Sequence, residues 1–310
     1  MCALDWNGRL RREIPRGLAI RQSPDGSRLL AIDYPILDGA ATTYVIVDAE
    51  NHLIDRMSSI WREEAVWADD NRHLCYIQDS NSSGRGGVAS LTERVPAGPS
   101  RRVATVGYIT YVPQPSNGGG VPSPFVAGPH ILSCSVLTDR ALVLNPETGV
   151  LTTLRLSDGV QVGTHSFGHQ FYPYGKERPA EHLVASRDGR YVADNIDGAA
   201  SVTVLDVLGD RVIARLPVIM LSGFSWDGTR AVVRLNDQIT EVIEWQSGRV
   251  VRQLAGTFAS ALARPDSQDF LVGMPSTRHQ FGLDLYIVRG DGTAFQVARS
   301  VEIIDQYGST

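Results

Sequence analysis

Cysteine is scarce in this chain. Cys2, Cys75 and Cys134 are the only three in 310 residues, too few and too scattered for the disulfide framework of a small secreted domain. No Cys-x-x-Cys occurs, which argues against thiolate-bound zinc. Cys75 lies in HLCYIQ and Cys134 in ILSCSV, both apolar strand-like runs. Buried free thiols are therefore expected, and with them a reducing, cytoplasmic setting. No run of about 18 apolar residues exists, so no membrane span is expected. The opening MCALDWNGRLRRE has no apolar signal core; Met1-Cys2 is compatible with a replaced native start, which leaves a removed export signal open.

Positive charge is not in excess either. The net charge is −5, so the basic face of a nucleic-acid binder is missing and no nucleic-acid partner is expected. The densest basic stretch, Arg9, Arg11, Arg12 and Arg16, reads as the solvated side of a strand. Recognisable catalytic motifs are missing too. Ser166 sits in GTHSFGH, not in the G-x-S-x-G elbow of an α/β-hydrolase. No P-loop or G-x-G-x-x-G occurs, and the glycines at 84–87 and 118–120 read as flexible loop. No cofactor is expected.

Sustained 3.6-residue periodicity is also lacking, which excludes a helical repeat. What the chain does have is a recurring hairpin. A short alternating apolar strand ends in a polar residue, a Gly- or Asn-containing turn follows, and a second strand returns. The copies are ALDWNGRLRREI, YVIVDAENHLIDRM, VASLTERVPAGPSRRVATV, ALVLNPETGVLTTLRL, VTVLDVLGDRVIARL, EVIEWQSGRVVRQL and LYIVRGDGTAFQVAR. Their polar strand-ends fall at Asp5, Asp48, Thr92, Asn145, Asp206, Glu244 and Arg289, at intervals of 43, 44, 53, 61, 38 and 45. Period-2 alternation marks strands, and the Asn, Asp and Gly turns mark hairpins.

A second hairpin precedes most copies. Its turns are Ser23–Gly26, Ala68–Asn71, Ala127–His130, Ser186–Gly189, Ser225–Gly228 and Arg264–Ser267. Each unit thus holds four antiparallel strands, A to D from the inside outward. Four-stranded repeats of roughly 40–45 residues are the signature of propeller blades.

The repeats resemble known families. SPDGSRLLAID resembles the first half of the WD40-like repeat of TolB-type propellers. VTVLDVLGDRVIARLPV resembles the YVTN-type repeat, with Asp206 and Arg211–Pro217 at the matching places, and YVIVDAENHLIDRM matches more loosely. Asp5-Trp6 and Trp226-Asp227 are isolated, so the chain is not a strict WD40 protein. The resemblance implies an all-β propeller over nearly the whole chain and is almost silent on function.

The expectation is therefore one propeller domain over residues 1–310, with seven blades closed by both termini. The tail VEIIDQYGST would supply an inner strand beside the N-terminal hairpin. Only 21 residues follow Arg289 and 5 lead to Asp5, short of the roughly 40 of a full blade. Six blades with an extra N-terminal hairpin is the alternative.

In such a ring, D–A and B–C loops share one face. The long insertions, 78–88, 107–124, 157–181 and 274–282, all fall there on this reading, and function tends to sit on long loops held by a rigid scaffold. Candidate binding residues are His165, Phe167, His169, Phe171, Tyr172, Tyr174, Lys176, Arg178, Arg85, Arg278 and His279. Aromatics with scattered polar groups suit a protein or peptide partner; the alternative is a local aromatic core pinning the loop. Asp194 and Asp197, in VADNIDGAAS, are weak candidates for calcium through oxygen ligands, against an ordinary Asx turn. A non-catalytic interaction propeller is the favoured reading, with no catalytic residue assigned. A small-molecule hydrolase or lyase at the channel mouth, lactonase-like, is the alternative, and it requires a metal or a set of perturbed carboxylates in one pocket. The sequence leaves the oligomeric state open.

Overall fold

The computed structural model describes residues 2–4, 10–13, 18–32, 43–58, 60–80, 87–112, 125–171, 183–195, 201–257, 260–276 and 283–301. A hairpin of β1 (Cys2–Leu4) and β2 (Leu10–Glu13) comes first. Blade 1 is β3 (Leu18–Gln22), β4 (Arg28–Ile32), β5 (Thr43–Asp48) and β6 (Leu53–Ser58). Blade 2 is β7 (Ile60–Trp67), β8 (Leu74–Asp79), β9 (Gly87–Arg94), β10 (Ser100–Val112) and a short fifth strand, β11 (Phe125–Ala127). Blade 3 is β12 (His130–Ser135), β13 (Arg140–Asn145), β14 (Val150–Arg155) and β15 (Gln161–Ser166). Blade 4 is β16 (Leu183–Ala185), β17 (Tyr191–Asp194), β18 (Val202–Asp206) and β19 (Arg211–Leu216). Blade 5 is β20 (Met220–Phe224), β21 (Arg230–Asn236), β22 (Ile239–Glu244) and β23 (Arg249–Ala255). Blade 6 is β24 (Ser260–Ala263), β25 (Phe270–Pro275), β26 (Leu283–Val288) and β27 (Ala294–Val301). Every strand pair is antiparallel, in chain order within its sheet.

The propeller therefore has six blades, not seven. The first of the seven counted hairpins, β1–β2, forms a two-stranded sheet of its own, and blade 6 completes its four strands from one continuous stretch. Alternation and a turn define a hairpin but not whether other strands join it, so counting hairpins overcounts blades. Of the expected closing strand, residues 301–310, Val301 ends β27 instead, and 302–310 lie outside the described residues.

Period-2 alternation explains the continuous apolar runs of the inner strands. In β8, Leu74 and Tyr76 join the cluster shared with blade 1, while Cys75 and Ile77 join the one shared with blade 3. In β13, Ala141 and Val143 face blade 2 while Leu142 and Leu144 face blade 4. Blades 4 and 5, and blades 5 and 6, share similar clusters. A strand buried on both faces must be apolar at every position. The outer strands have polar company instead: β23, RVVRQLA, carries no buried residue.

Blade 3 is framed differently from the expectation. ALVLNPETGVLTTLRL is the B–C hairpin β13–β14, not a C–D hairpin, and the outer strand is β15. Ala127–His130 connects blade 2 to blade 3, and the true A–B turn is 136–139, where Asp139 takes the positive φ of 55°. The two long D–A loops shrink accordingly. Gly107–Val112 belongs to β10, and 157–160 is a C–D turn before β15.

The cysteine expectation is also corrected. Cys75 on β8 and Cys134 on β12 are joined in a disulfide between blades 2 and 3. Their 59-residue separation in sequence hides that the two strands are neighbours in the ring.

Candidate functional site: the central channel and its mouth

The first strand of each blade, β3, β7, β12, β16, β20 and β24, contributes to the wall of one axial cavity of about 810 Å³. Its sides are small or apolar, among them Val66, Leu132, Val184, Ser222, Ala261 and Leu262. It reaches the A–B turns, where Pro24, Asp25, Arg187 and Trp226 border it, with Glu50 beside them. The ionisable side chains lining it are Arg21, Asp25, Glu50 and Arg187.

The A–B turns are rigid for a local reason. In three of them a serine hydroxyl donates to the aspartate two residues on: Ser23 to Asp25 at 2.7 Å, Ser186 to Asp188 and Ser225 to Asp227 at 2.6 Å. The same serine oxygens accept the amides of Arg28, Tyr191 and Arg230. Gly26, Gly189 and Gly228 close the turns at φ of 74°, 66° and 69°, a conformation glycine adopts without steric cost. The residue between serine and aspartate is thereby presented to the axis, and in these turns it is Pro24, Arg187 or Trp226.

Arg187 is the distinctive member. Its Nη2 donates to the Ala68 carbonyl at 2.7 Å and reaches the Trp67 carbonyl at 3.4 Å, so a blade 4 side chain spans the mouth to blade 2. Its guanidinium lies 4.0 Å from the ring centre of Trp226, a cation–π contact. Nε is shut off from solvent without an acceptor. Burial pushes the Arg187 pKa down to about 10, while Asp69, Asp70, Asp25 and Asp266 act to raise it. It stays cationic at neutral pH.

Asp69, next to this mouth, holds the neighbouring turn. It accepts from the Ser135 hydroxyl, the Val136 amide at 2.8 Å and the Leu137 amide at 3.2 Å. Trp67 Nε1 donates to the Arg21 carbonyl at 3.2 Å, and Arg21 Nε to the Ala65 carbonyl at 3.2 Å.

The sequence-derived candidates lie elsewhere. His165 is on β15 with Nδ1 2.7 Å from Asp210 of blade 4. Phe167 packs edge-on against His165 and Phe171, at 4.8 and 5.1 Å between ring centres. Phe171 is buried in the cluster between blades 3 and 4. His169 Nδ1 contacts the Phe167 carbonyl at 3.1 Å. The segment lies so tightly over the 146–149 turn that a Cβ on Gly149 would come 1.8 Å from the His169 carbonyl oxygen. These rings thus form a local core. His165 and His169 each turn Nδ1 to a different partner. Asp194 is buried at the end of β17, and its neighbour Asn195 clamps β20, donating to the Leu221 carbonyl at 2.9 Å and accepting its amide at 2.8 Å. Tyr172, Tyr174, Lys176, Arg178, Arg85, Arg278, His279 and Asp197 lie outside the described residues.

Among the described residues, the three side chains that converge closely enough to hold a metal are Asp48, Glu50 and His52. They sit on the exposed C–D turn of blade 1, where Asp48 already caps the amides of Glu50 and His52. Arg187 and Trp226 were not singled out from sequence. Their signal was present, as the variable second position of the Ser-x-Asp-Gly turns.

No protein-family profile matches the chain, and no curated protein sequence does. Solved structures do resemble it. Prolyl oligopeptidase B from Galerina marginata matches with a TM-score of 0.55 at 12% identity, over 92% of this chain and 42% of that one. Kuenenia stuttgartiensis hydrazine synthase matches with a TM-score of 0.41 at 14% identity, over 75% of this chain and 64% of that one. The present chain thus spans less than two thirds of either. At such identities the likeness is one of fold.

Proposed function

We propose that the protein is a non-catalytic binding propeller, of the WD40-like, YVTN-type and TolB-like kind its repeats resemble, and that it captures a protein or peptide partner. The observation that carries this reading is the lining of the channel. Its ionisable side chains are two arginines and two carboxylates, with Asp25 held by Ser23 and Ser27 and Arg187 laid on Trp226. Fixed charges set among small and apolar walls suit recognition of a partner group.

The proposed docking segment is residues 165–178, of which 165–171 pack as a local core and 172–178 lie outside the described residues. A pull-down against the source organism's extract, comparing the wild type with a His169→Ala, Tyr174→Ala, Arg178→Ala triple variant, tests it. The expected result is a defined partner lost in the variant while thermal unfolding is unchanged. Identical capture by both removes that surface, and turnover of lactone or ester substrates removes the non-catalytic reading. A cytoplasmic setting was expected from free thiols; with Cys75 and Cys134 bonded, that premise no longer supports it.

A further inference from the structure

We propose that the channel mouth is a binding site for an organic carboxylate carried on an apolar body, with Arg187 as the residue that takes the carboxylate. The proposal rests on the binding-module reading and adds a second, separate contact to it.

Among the described residues Arg187 is a cation without a counter-ion at ion-pair distance. Among the described residues it makes no ion pair, and its hydrogen bonds go to two backbone carbonyls through Nη2 alone. Among the described residues Nη1 makes no hydrogen bond, and Nε has no acceptor. Guanidinium is built for recognition of carboxylates, and here Nη1 is left to a ligand while Nε is closed off.

The surrounding acids do not fill the role. Asp69 is taken up by the blade 3 turn, Asp70 by the amides of Arg72 and His73, and Asp25 by its own turn serines. They support the positive charge from a distance without capping it. Trp226 holds the guanidinium with its ring centre 4.0 Å away, so little side-chain freedom remains to be lost on binding.

The body of the ligand is specified by the wall. Below Arg187 the cavity offers Leu132, Val184, Leu262 and Ala261, and its volume of about 810 Å³ lies within the range of small-molecule sites. Apolar walls with one convergent charged group are what such sites consist of. The C-terminus of a peptide with aliphatic last residues has this chemistry, and so does a medium-chain fatty acid.

Calorimetric titration of the whole protein at low ionic strength tests the assignment. The probes are an acetylated peptide ending in valine–leucine with a free carboxylate, the same peptide as its C-terminal amide, and hexanoate. The free acid should bind at least about tenfold more tightly than the amide, and Arg187→Gln should abolish that preference. Hexanoate binding as tightly as the peptide assigns the site to small acids; binding of the peptide acid alone assigns it to chain ends. Equal affinity for acid and amide, no binding by any probe, or a preference that survives Arg187→Gln overturns the proposal. Should Arg187→Gln fail to fold, Arg187→Lys keeps the charge without the fork, and the acid–amide comparison in the wild type decides. A wild type that captures a partner through its loop face and ignores every carboxylate overturns this site while leaving the binding-module reading intact.

Discussion

The seam between blades 2 and 3 and the seam between blades 6 and 1 are built very differently. Across the first run a disulfide, the Asp69 contacts to residues 135–137, Glu64 to His130 at 2.6 Å and to the Ile131 amide at 3.3 Å, and Arg101 to the carbonyls of Leu156 and Ser157 at 2.8 and 3.1 Å. A buried cluster from Ala68 to Leu156 fills the space between. Across the second, no buried cluster is shared among the described residues; the blades meet as walls of the channel. Among the described residues each blade comes from one continuous stretch of chain, and no strand is shared between the first and last blades. The described contacts between blades are thus densest at the seam of blades 2 and 3.

The largest test of this contrast is the disulfide. Replacing Cys75 and Cys134 together by alanine should lower unfolding stability by about 4 kcal/mol, the loop-closure cost for a separation of this size. Urea unfolding of the variant, and of the wild type with and without reductant, measures it. An unchanged midpoint would mean that the bonded cysteines do not hold this seam.

A smaller effect should appear in native-state hydrogen exchange. Amides of β3 and β24 should open at least about tenfold more readily than those of β7 and β12, about 1.4 kcal/mol in opening free energy. Mass spectrometry of exchanged peptides reads this, and equal protection on both sides would erase the distinction between the seams.

The smallest effect concerns the seam between blades 5 and 6, which lies between the extremes. There Gln268 donates to Asp227 at 2.8 Å and Arg230 to the Gly290 carbonyl at 2.5 Å. Burial acts to raise the Asp227 pKa, but hydrogen bonds from Ser225, Gln268 and Thr229 outweigh it and bring it to about 2. A carboxylate with a depressed folded pKa stabilises the fold above its unfolded value, and that contribution is lost as pH falls from about 4 through about 2. The group is largely open to solvent, so screening keeps its share below about 1 kcal/mol. Asp227→Asn should flatten that part of the acid limb in a pH series of thermal unfolding; an identical acid limb would show that the bond to Gln268 contributes nothing across that seam.

The repeat was readable because each hairpin carries its own alternation and turn chemistry. Five of the six expected A–B turns, from Ser23–Gly26 to Arg264–Ser267, stand where the sequence placed them. Blade 3 was misframed because Ala127–His130 has the turn residues of a hairpin while the true turn, 136–139, relies on a left-handed Asp139 instead of glycine. The disulfide and the channel mouth were illegible for another reason. Cys75 and Cys134, or Arg187 and Ala68, meet only through the placement of one blade against others, and that register leaves no periodic mark along the chain. The aromatic segment 165–171 was visible as a cluster, but alternation could not say that Phe171 faces inward between blades 3 and 4.

The reach of Arg187 from blade 4 to blade 2 has a mechanical meaning. A ring of units joined only to their neighbours is a linkage, and it can shear. A tie that skips one unit makes a triangle, and triangles do not. Blade 3 is fastened to blade 2 by the disulfide and to blade 4 by the Thr138 hydroxyl on the Asp188 carbonyl at 2.9 Å, and Arg187 closes the third side. Blades 2, 3 and 4 therefore form a braced frame against which the rest of the ring can flex, and a ligand drawing on Arg187 would pull directly on that brace.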